Sequence, residues 1–185
     1  MHGQANQSEF LADISTFLGC DYLALTVMNL AAGLYVWLRQ PASIPRPYSM
    51  PKLSSLVWLV FAVAFAIMSV LAFSGKPSWM AYVSLPLEWR ESMDRMMGLV
   101  VFSVGTVLLL YAMFVGRRFF VRPAVAWVLL NASLLFMGLS LTDPDFKAIV
   151  AKPDNVPIVG MIFLLGFFTW VATLRAVRND ERGLV

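Results

Sequence analysis

The side chains that usually carry out chemistry are few in this sequence, and they do not cluster. The sole histidine is His2 and the sole cysteine is Cys20. One cysteine excludes an intrachain disulfide, and structural or catalytic zinc and iron sites need several His, Cys or carboxylate ligands. No phosphate-binding loop, nucleophile elbow or H-E-x-x-H motif is present. We therefore predict no catalytic residue, no metal site and no cofactor bound by this chain alone.

Two carboxylates at the edges of apolar segments are the candidates for acid–base chemistry. Asp21 lies near the start of the first apolar segment, and Asp94 precedes the third, next to Arg95. Ionisable groups deep in a bilayer mark ion paths or proton relays, but these residues are close enough to a helix end to reach water. We interpret them as solvated helix ends. A membrane enzyme acting on lipid or quinone would instead need Asp21 or Asp94 as a general base.

A methionine cluster has the spacing of one helix face. Met93 is followed three and four residues later by Met96 and Met97. Thioethers can ligate copper(I) or haem iron, but no histidine or cysteine lies near enough in sequence to complete such a site. We interpret the cluster as packing, because methionine fills irregular gaps against neighbours.

Two asparagines interrupt otherwise apolar segments near their middle. An amide such as that of Asn29 or Asn131 is costly in hydrocarbon unless it is hydrogen-bonded, and it commonly bridges helices. Both are therefore predicted to make helix–helix contacts, with a quinone headgroup as the alternative ligand. Further small residues that would let another helix approach closely are Gly33, Gly98, Gly105, Gly160 and Gly166.

The elements that carry these residues are predicted to lie in a membrane. Of the 185 residues, 59% are hydrophobic and 14% charged, and the mean hydropathy is +0.74. Soluble domains are about 45–50% apolar and about 25% charged, so lipid must cover the excess apolar surface. The net charge of +3 is read as a topology signal, because the basic residues lie at segment ends. No nucleic-acid partner is expected.

The apolar segments are long enough for five crossings of a bilayer, each of which needs about 20 residues. The predicted fold is an all-α integral membrane bundle, one transmembrane domain over residues 1–185. The five predicted spans cover residues 19–38, 54–74, 95–116, 121–141 and 156–177.

The orientation follows from the charges of the loops. The loop 39–52, the turn 117–122 and the C-terminal region carry nine Lys and Arg against two acids, whereas the remaining loops carry five against nine. Short basic loops stay in the cytoplasm. The N-terminus is therefore predicted outside and the C-terminus inside, in a bacterial inner membrane.

The two predicted outer loops are residues 75–94 and 142–155. The first can form a short amphipathic helix on the membrane surface, and in the second Thr142 or Asp143 can cap a helix that begins with a proline. Residues 79–97, here called the aromatic segment, contain the residue types that protein interfaces favour. The predicted partner contacts are Trp79, Tyr82, Trp89, Arg90, Met93, Arg95, Met96 and Met97.

The C-terminal third carries a family resemblance. The stretches Leu141-Thr142-Asp143-Pro144-Asp145-Phe146 and Lys152-Pro153-Asp154-Asn155-Val156-Pro157-Ile158, followed by Thr169-Trp170 and Arg178-Asn179-Asp180-Glu181-Arg182, resemble small membrane segments that accompany bacterial quinol and cytochrome respiratory modules. The resemblance contains no cofactor ligand. It implies partnership with a redox complex, and it assigns no functional residue.

These observations together predict a non-catalytic accessory or anchor subunit of a respiratory or photosynthetic electron-transfer complex. Its partners would be cofactor-bearing membrane subunits, lipids and a periplasmic cytochrome domain, with quinone or lipid held at subunit interfaces. Two alternatives stay open. A small transporter or channel would need a path lined by polar side chains, and the spans offer few, while a membrane enzyme would need one of the two carboxylates named above.

Overall fold

The computed structural model describes residues 9–39, 50–96 and 98–183, which form helices joined by short turns, with no strand among them. After a short helical segment over residues 9–13, the helices are α1 (Ser15–Leu38), α2 (Met50–Phe73), α3 (Pro77–Val83), α4 (Leu87–Met96), α5 (Leu99–Val115), α6 (Arg117–Phe120), α7 (Pro123–Ser140), α8 (Pro144–Val150) and α9 (Val156–Glu181).

Four of these helices are long and apolar enough to cross a membrane. They are α1, α2 from Ser54 onward, α7 and α9. Helix α5 is equally apolar but has 17 residues, which at 1.5 Å per residue is about 26 Å, against about 30 Å of hydrocarbon. The all-helical prediction is confirmed, and the four long apolar helices are those expected of a multi-pass membrane protein.

Helix α5 begins at Leu99, later than the start at about residue 95 that was predicted for the third span. Gly98 has an extended backbone, with φ −63° and ψ 159°, and it lies between the end of α4 and the start of α5. Arg95 therefore belongs to α4 rather than to the end of an apolar span. The backbone of Asp94 also lies in α4, whereas its side chain and the whole of Met97 lie outside the described residues.

The chain folds as two compact units. The first contains Met1–Ser84 and Leu134–Thr142. In it, α1 and α2 pack along their length: the Ser69 hydroxyl donates to the Gly19 carbonyl at 2.8 Å, and Gly33 lies against the Leu59 side chain. The buried side chains of this unit include Leu18, Tyr22, Leu25, Phe65, Met80 and Val83.

The second unit contains Leu85–Ser133 and Asp143–Val185. Asp143 caps α8, because its Oδ1 accepts from the backbone N–H groups of Asp145 and Phe146 at 2.9 and 3.0 Å. Pro144 follows at the first helical position. This confirms the predicted cap and proline of the second loop. By contrast, α5 has no buried residue among those described, and α9 buries only Val177.

Candidate functional site

The two asparagines are held by their own helices. Asn29 is 1% exposed and its Nδ2 donates to the Leu25 carbonyl at 2.8 Å. Asn131 is also buried, and its Nδ2 donates to the Trp127 carbonyl at 2.9 Å. Each amide makes at least one further interaction in the chain. Asn29 belongs to the first unit and Asn131 to the second, and the bonds to the preceding turn lower the cost of placing each amide in an apolar helix.

The aromatic segment presents large apolar side chains at its surface. Tyr82 is 82% exposed, and Trp79, Trp89 and Met96 are also exposed. Lys76 Nζ lies 5.2 Å from the centre of the Trp79 ring, within cation–π range. Such side chains suit a membrane–water interface or a protein contact, since each has a large apolar body.

Arg90 departs from the rest of the predicted partner contacts because it is buried, with 7% exposure. Its Nε donates to the Leu85 carbonyl at 3.1 Å, and its guanidinium pairs with Asp143 at 3.8 Å. Burial lowers the pKa of Arg90, and the Asp143 carboxylate opposes that shift. Since an arginine stays protonated in either case, this residue joins α4 to the N-terminus of α8 and is not available to a partner.

Two further predicted partner contacts in α4, Met93 and Arg95, differ from each other in exposure. Met93 is half-buried, whereas the Arg95 side chain is exposed and its Nε donates back to the Glu91 carbonyl at 3.1 Å. Trp89, Met93 and Met96 follow one another at i, i+4 and i+7, which places them along one face of α4. The apolar face of this helix is therefore only partly covered by the chain itself.

Sequence reasoning missed a close approach between Asp21 and Gly138. A Cβ atom added to Gly138 would overlap the Asp21 carboxylate oxygen Oδ2. That oxygen is buried and has no hydrogen-bond partner among the described residues. Asp21 is thus packed in part against a glycine of α7, whereas the sequence predicted a solvated helix end.

The predicted small-residue faces separate into covered and open ones. Gly33 is covered within the chain, because an added Cβ would lie 3.0 Å from Leu59 Cδ2. At Gly98, Gly105, Gly160 and Gly166 the corresponding position meets no atom of the described residues within 4 Å. The open glycines lie on or beside α5 and α9, which bury the fewest residues of the five apolar helices.

The turn between α5 and α7, here called the arginine turn (residues 117–122), is joined to α9 by two polar contacts. Arg117 donates to Asp180 Oδ2 at 3.1 Å, and both side chains are partly exposed. Trp170 Nε1 donates to the Val121 carbonyl at 3.3 Å. These contacts bring the end of α9 and three arginines to one end of the second unit.

No group of three His, Cys, Asp or Glu able to hold a metal ion occurs in the part of the chain that the structure describes. An open groove of about 450 Å³ lies along α8, lined by Pro144, Lys147, Ala148, Ala151, Lys152 and Pro153. Comparisons of this chain with protein-family models, curated proteins and solved structures give no match.

Proposed function

We propose that this chain is a non-catalytic accessory subunit of a bacterial membrane electron-transfer complex, respiratory or photosynthetic. In this proposal five helices (α1, α2, α5, α7 and α9) cross the inner membrane, with the N-terminus outside the cytoplasm and the C-terminus inside. The chain packs against subunits that carry the redox cofactors, and a periplasmic cytochrome domain contacts the aromatic segment. The resemblance of the C-terminal third supports this choice of complex.

The observation that carries the proposal is how little of α5 and α9 the chain itself covers. Gly105 meets no neighbour, and α5 has no buried residue within the described chain. Glycine offers lipid tails little surface to contact, but it lets another helix approach the backbone closely. An accessory subunit whose open helices are completed by partner helices accounts for this uneven burial.

The asparagines have a supporting role in this proposal. Asn29 and Asn131 each bond to a carbonyl one turn earlier, so their amides are already oriented within the helix. We assign both to helix–helix contacts. A quinone in this proposal lies at an interface with a partner subunit, away from these two buried amides.

The experiment compares two leucine substitutions on α5. Gly105 and Ser103 are both exposed, and two residues of an α-helix are about 200° apart, so they lie on nearly opposite faces at similar depth. Gly105→Leu is expected to remove haem- or iron–sulfur-bearing subunits from the tagged chain purified in mild detergent, since overpacking a helix contact costs about 1–3 kcal/mol. Ser103→Leu should retain them in constant stoichiometry.

Two results would count against the proposal. One is recovery of the unmodified chain as a lone monomer from its native membrane. The other is an equal loss of partner subunits in Gly105→Leu and Ser103→Leu, because that would tie the loss to added bulk anywhere on α5 rather than to one open face.

A further inference from the structure

The arginine turn holds two guanidinium groups that no described residue of the chain neutralises. Arg117 is paired with Asp180. Arg118 and Arg122 are exposed, and neither makes an ion pair or side-chain hydrogen bond with another described residue. Arg122 instead lies over the Phe119 ring, 5.8 Å from its centre. Two exposed positive groups within one short turn, one of them over an aromatic ring, are therefore available to an anion.

The depth of these groups follows from Trp170. Its indole N–H is bonded to the carbonyl of Val121, so the Val121 end of the turn lies at the level of this tryptophan. Tryptophan prefers the boundary between hydrocarbon and headgroups. Beyond Trp170, helix α9 continues for eleven residues to its end at Glu181. At 1.5 Å per residue this part of the helix is about 16 Å long. Since Arg117 pairs with Asp180 near that end, the turn extends along α9 from the boundary marked by Trp170 toward water, which places it at headgroup depth.

We propose that the arginine turn binds the phosphate of an anionic phospholipid through Arg118 and Arg122. Guanidinium groups match a phosphodiester with paired, charge-assisted hydrogen bonds. The exposed Phe119 and the apolar helices α5 and α7 on either side of the turn contact the acyl chains of the same lipid. This inference does not depend on the partner subunits of the proposed complex.

An anionic headgroup fits better than a zwitterionic one because of the local charge. The turn and residues 170–183 contain six arginines (Arg117, Arg118, Arg122, Arg175, Arg178 and Arg182) and two acids (Asp180 and Glu181), a net charge of +4. The cation of a zwitterionic headgroup would be repelled by this charge, whereas a headgroup with net negative charge is attracted. Inorganic phosphate carries negatively charged oxygens like those of the lipid phosphodiester, but it lacks the acyl chains that α5 and α7 would contact.

The test is a lipid titration of the purified full chain in uncharged detergent, followed by native mass spectrometry. Phosphatidylglycerol is the anionic probe and phosphatidylcholine the zwitterionic one. The variant Arg118→Gln with Arg122→Gln removes two exposed charges, and the matched control Lys76→Gln with Lys152→Gln removes two exposed charges from the predicted outer loops. Circular dichroism of both variants establishes that the helix content is unchanged.

The unmodified chain is expected to retain phosphatidylglycerol in preference to phosphatidylcholine. The arginine variant should weaken phosphatidylglycerol binding on the order of 10-fold or more, while the lysine control binds as the unmodified chain does. Equal weakening in both variants, unchanged binding in the arginine variant, or displacement of the lipid by equimolar inorganic phosphate would each overturn the proposal.

Discussion

Asp21 places a carboxylate inside a spanning helix, and Gly138 is the residue that makes room for it. One carboxylate oxygen is buried against the Gly138 backbone without a hydrogen-bond partner in the described chain. Burying such a group is unfavourable, so the packing of α1 and the end of α7 must compensate for it. The contact depends on the absence of a side chain at position 138.

Replacing Gly138 by alanine is therefore expected to destabilise the first unit. The added methyl group overlaps the Asp21 carboxylate, and overpacking of this kind costs about 1–3 kcal/mol. Thermal unfolding of the detergent-solubilised chain, followed by circular dichroism, measures the effect. Gly166→Ala is the control, because its Cβ meets open space. If adding Asp21→Ser to Gly138→Ala restores no stability, the overlap is not the cause.

Helices α1 and α3 are joined at one buried hydrogen bond. The Tyr22 hydroxyl donates to the Val83 carbonyl at 2.6 Å, and both residues are fully buried. The Tyr22 ring also stacks on Phe65, with 6.5 Å between ring centres. One side chain thus contacts two other elements, and its hydroxyl holds the C-terminal end of α3.

Tyr22→Phe keeps the ring contact and removes the hydrogen bond. The Val83 carbonyl is then left buried without that donor, which costs about 1–3 kcal/mol. Amide hydrogen exchange over residues 77–83 is expected to become faster. Tyr35→Phe serves as the control, because Tyr35 lies exposed in the same helix. Unchanged exchange of α3 in Tyr22→Phe would show that the bond does not hold this element in place.

The sequence was sufficient to predict some elements and not others, for physical reasons. The cap at Asp143 with Pro144 is a local pattern of adjacent residues, so it was predictable. The break at Gly98 was missed because hydropathy is averaged over a span and one extended residue hardly changes the average. Helix α1 begins at Ser15 rather than residue 19. Hydropathy marks only the apolar part of a helix, and this helix starts before that part.

Contacts between distant elements were the least predictable part of the candidate site. Gly33 was expected to admit another helix, and that helix is α2 of the same chain. Gly105 carried the same sequence signal, but its face is open. The approach of Gly138 to Asp21 joins residues more than a hundred positions apart, so no local pattern could indicate it. Burial of Arg90 likewise depends on Asp143 in another loop.

At the scale of the whole molecule, the proposed topology depends on α5. The loops divide into a basic set and an acidic set only if every one of the five apolar helices crosses the membrane. Helix α5 is about 4 Å shorter than a typical hydrocarbon core. A bilayer can thin locally to match a short helix at modest cost, and the three arginines that follow α5 favour a cytoplasmic end.

Alkaline phosphatase fusions distinguish five crossings from four, because the enzyme is active only outside the cytoplasm. Fusions after Pro86 and Pro153 are expected to be active, and fusions after Arg118 and Val185 inactive. If α5 does not cross while the N-terminus stays outside, activity appears after Arg118 and Val185 and is lost after Pro153. Three of the four fusions are therefore active in one topology and inactive in the other. The fusion after Pro86 is active in both topologies and shows that α1 and α2 cross the membrane. A green fluorescent protein fused after Val185 tests the location of the C-terminus independently, since it fluoresces only when the C-terminus is cytoplasmic.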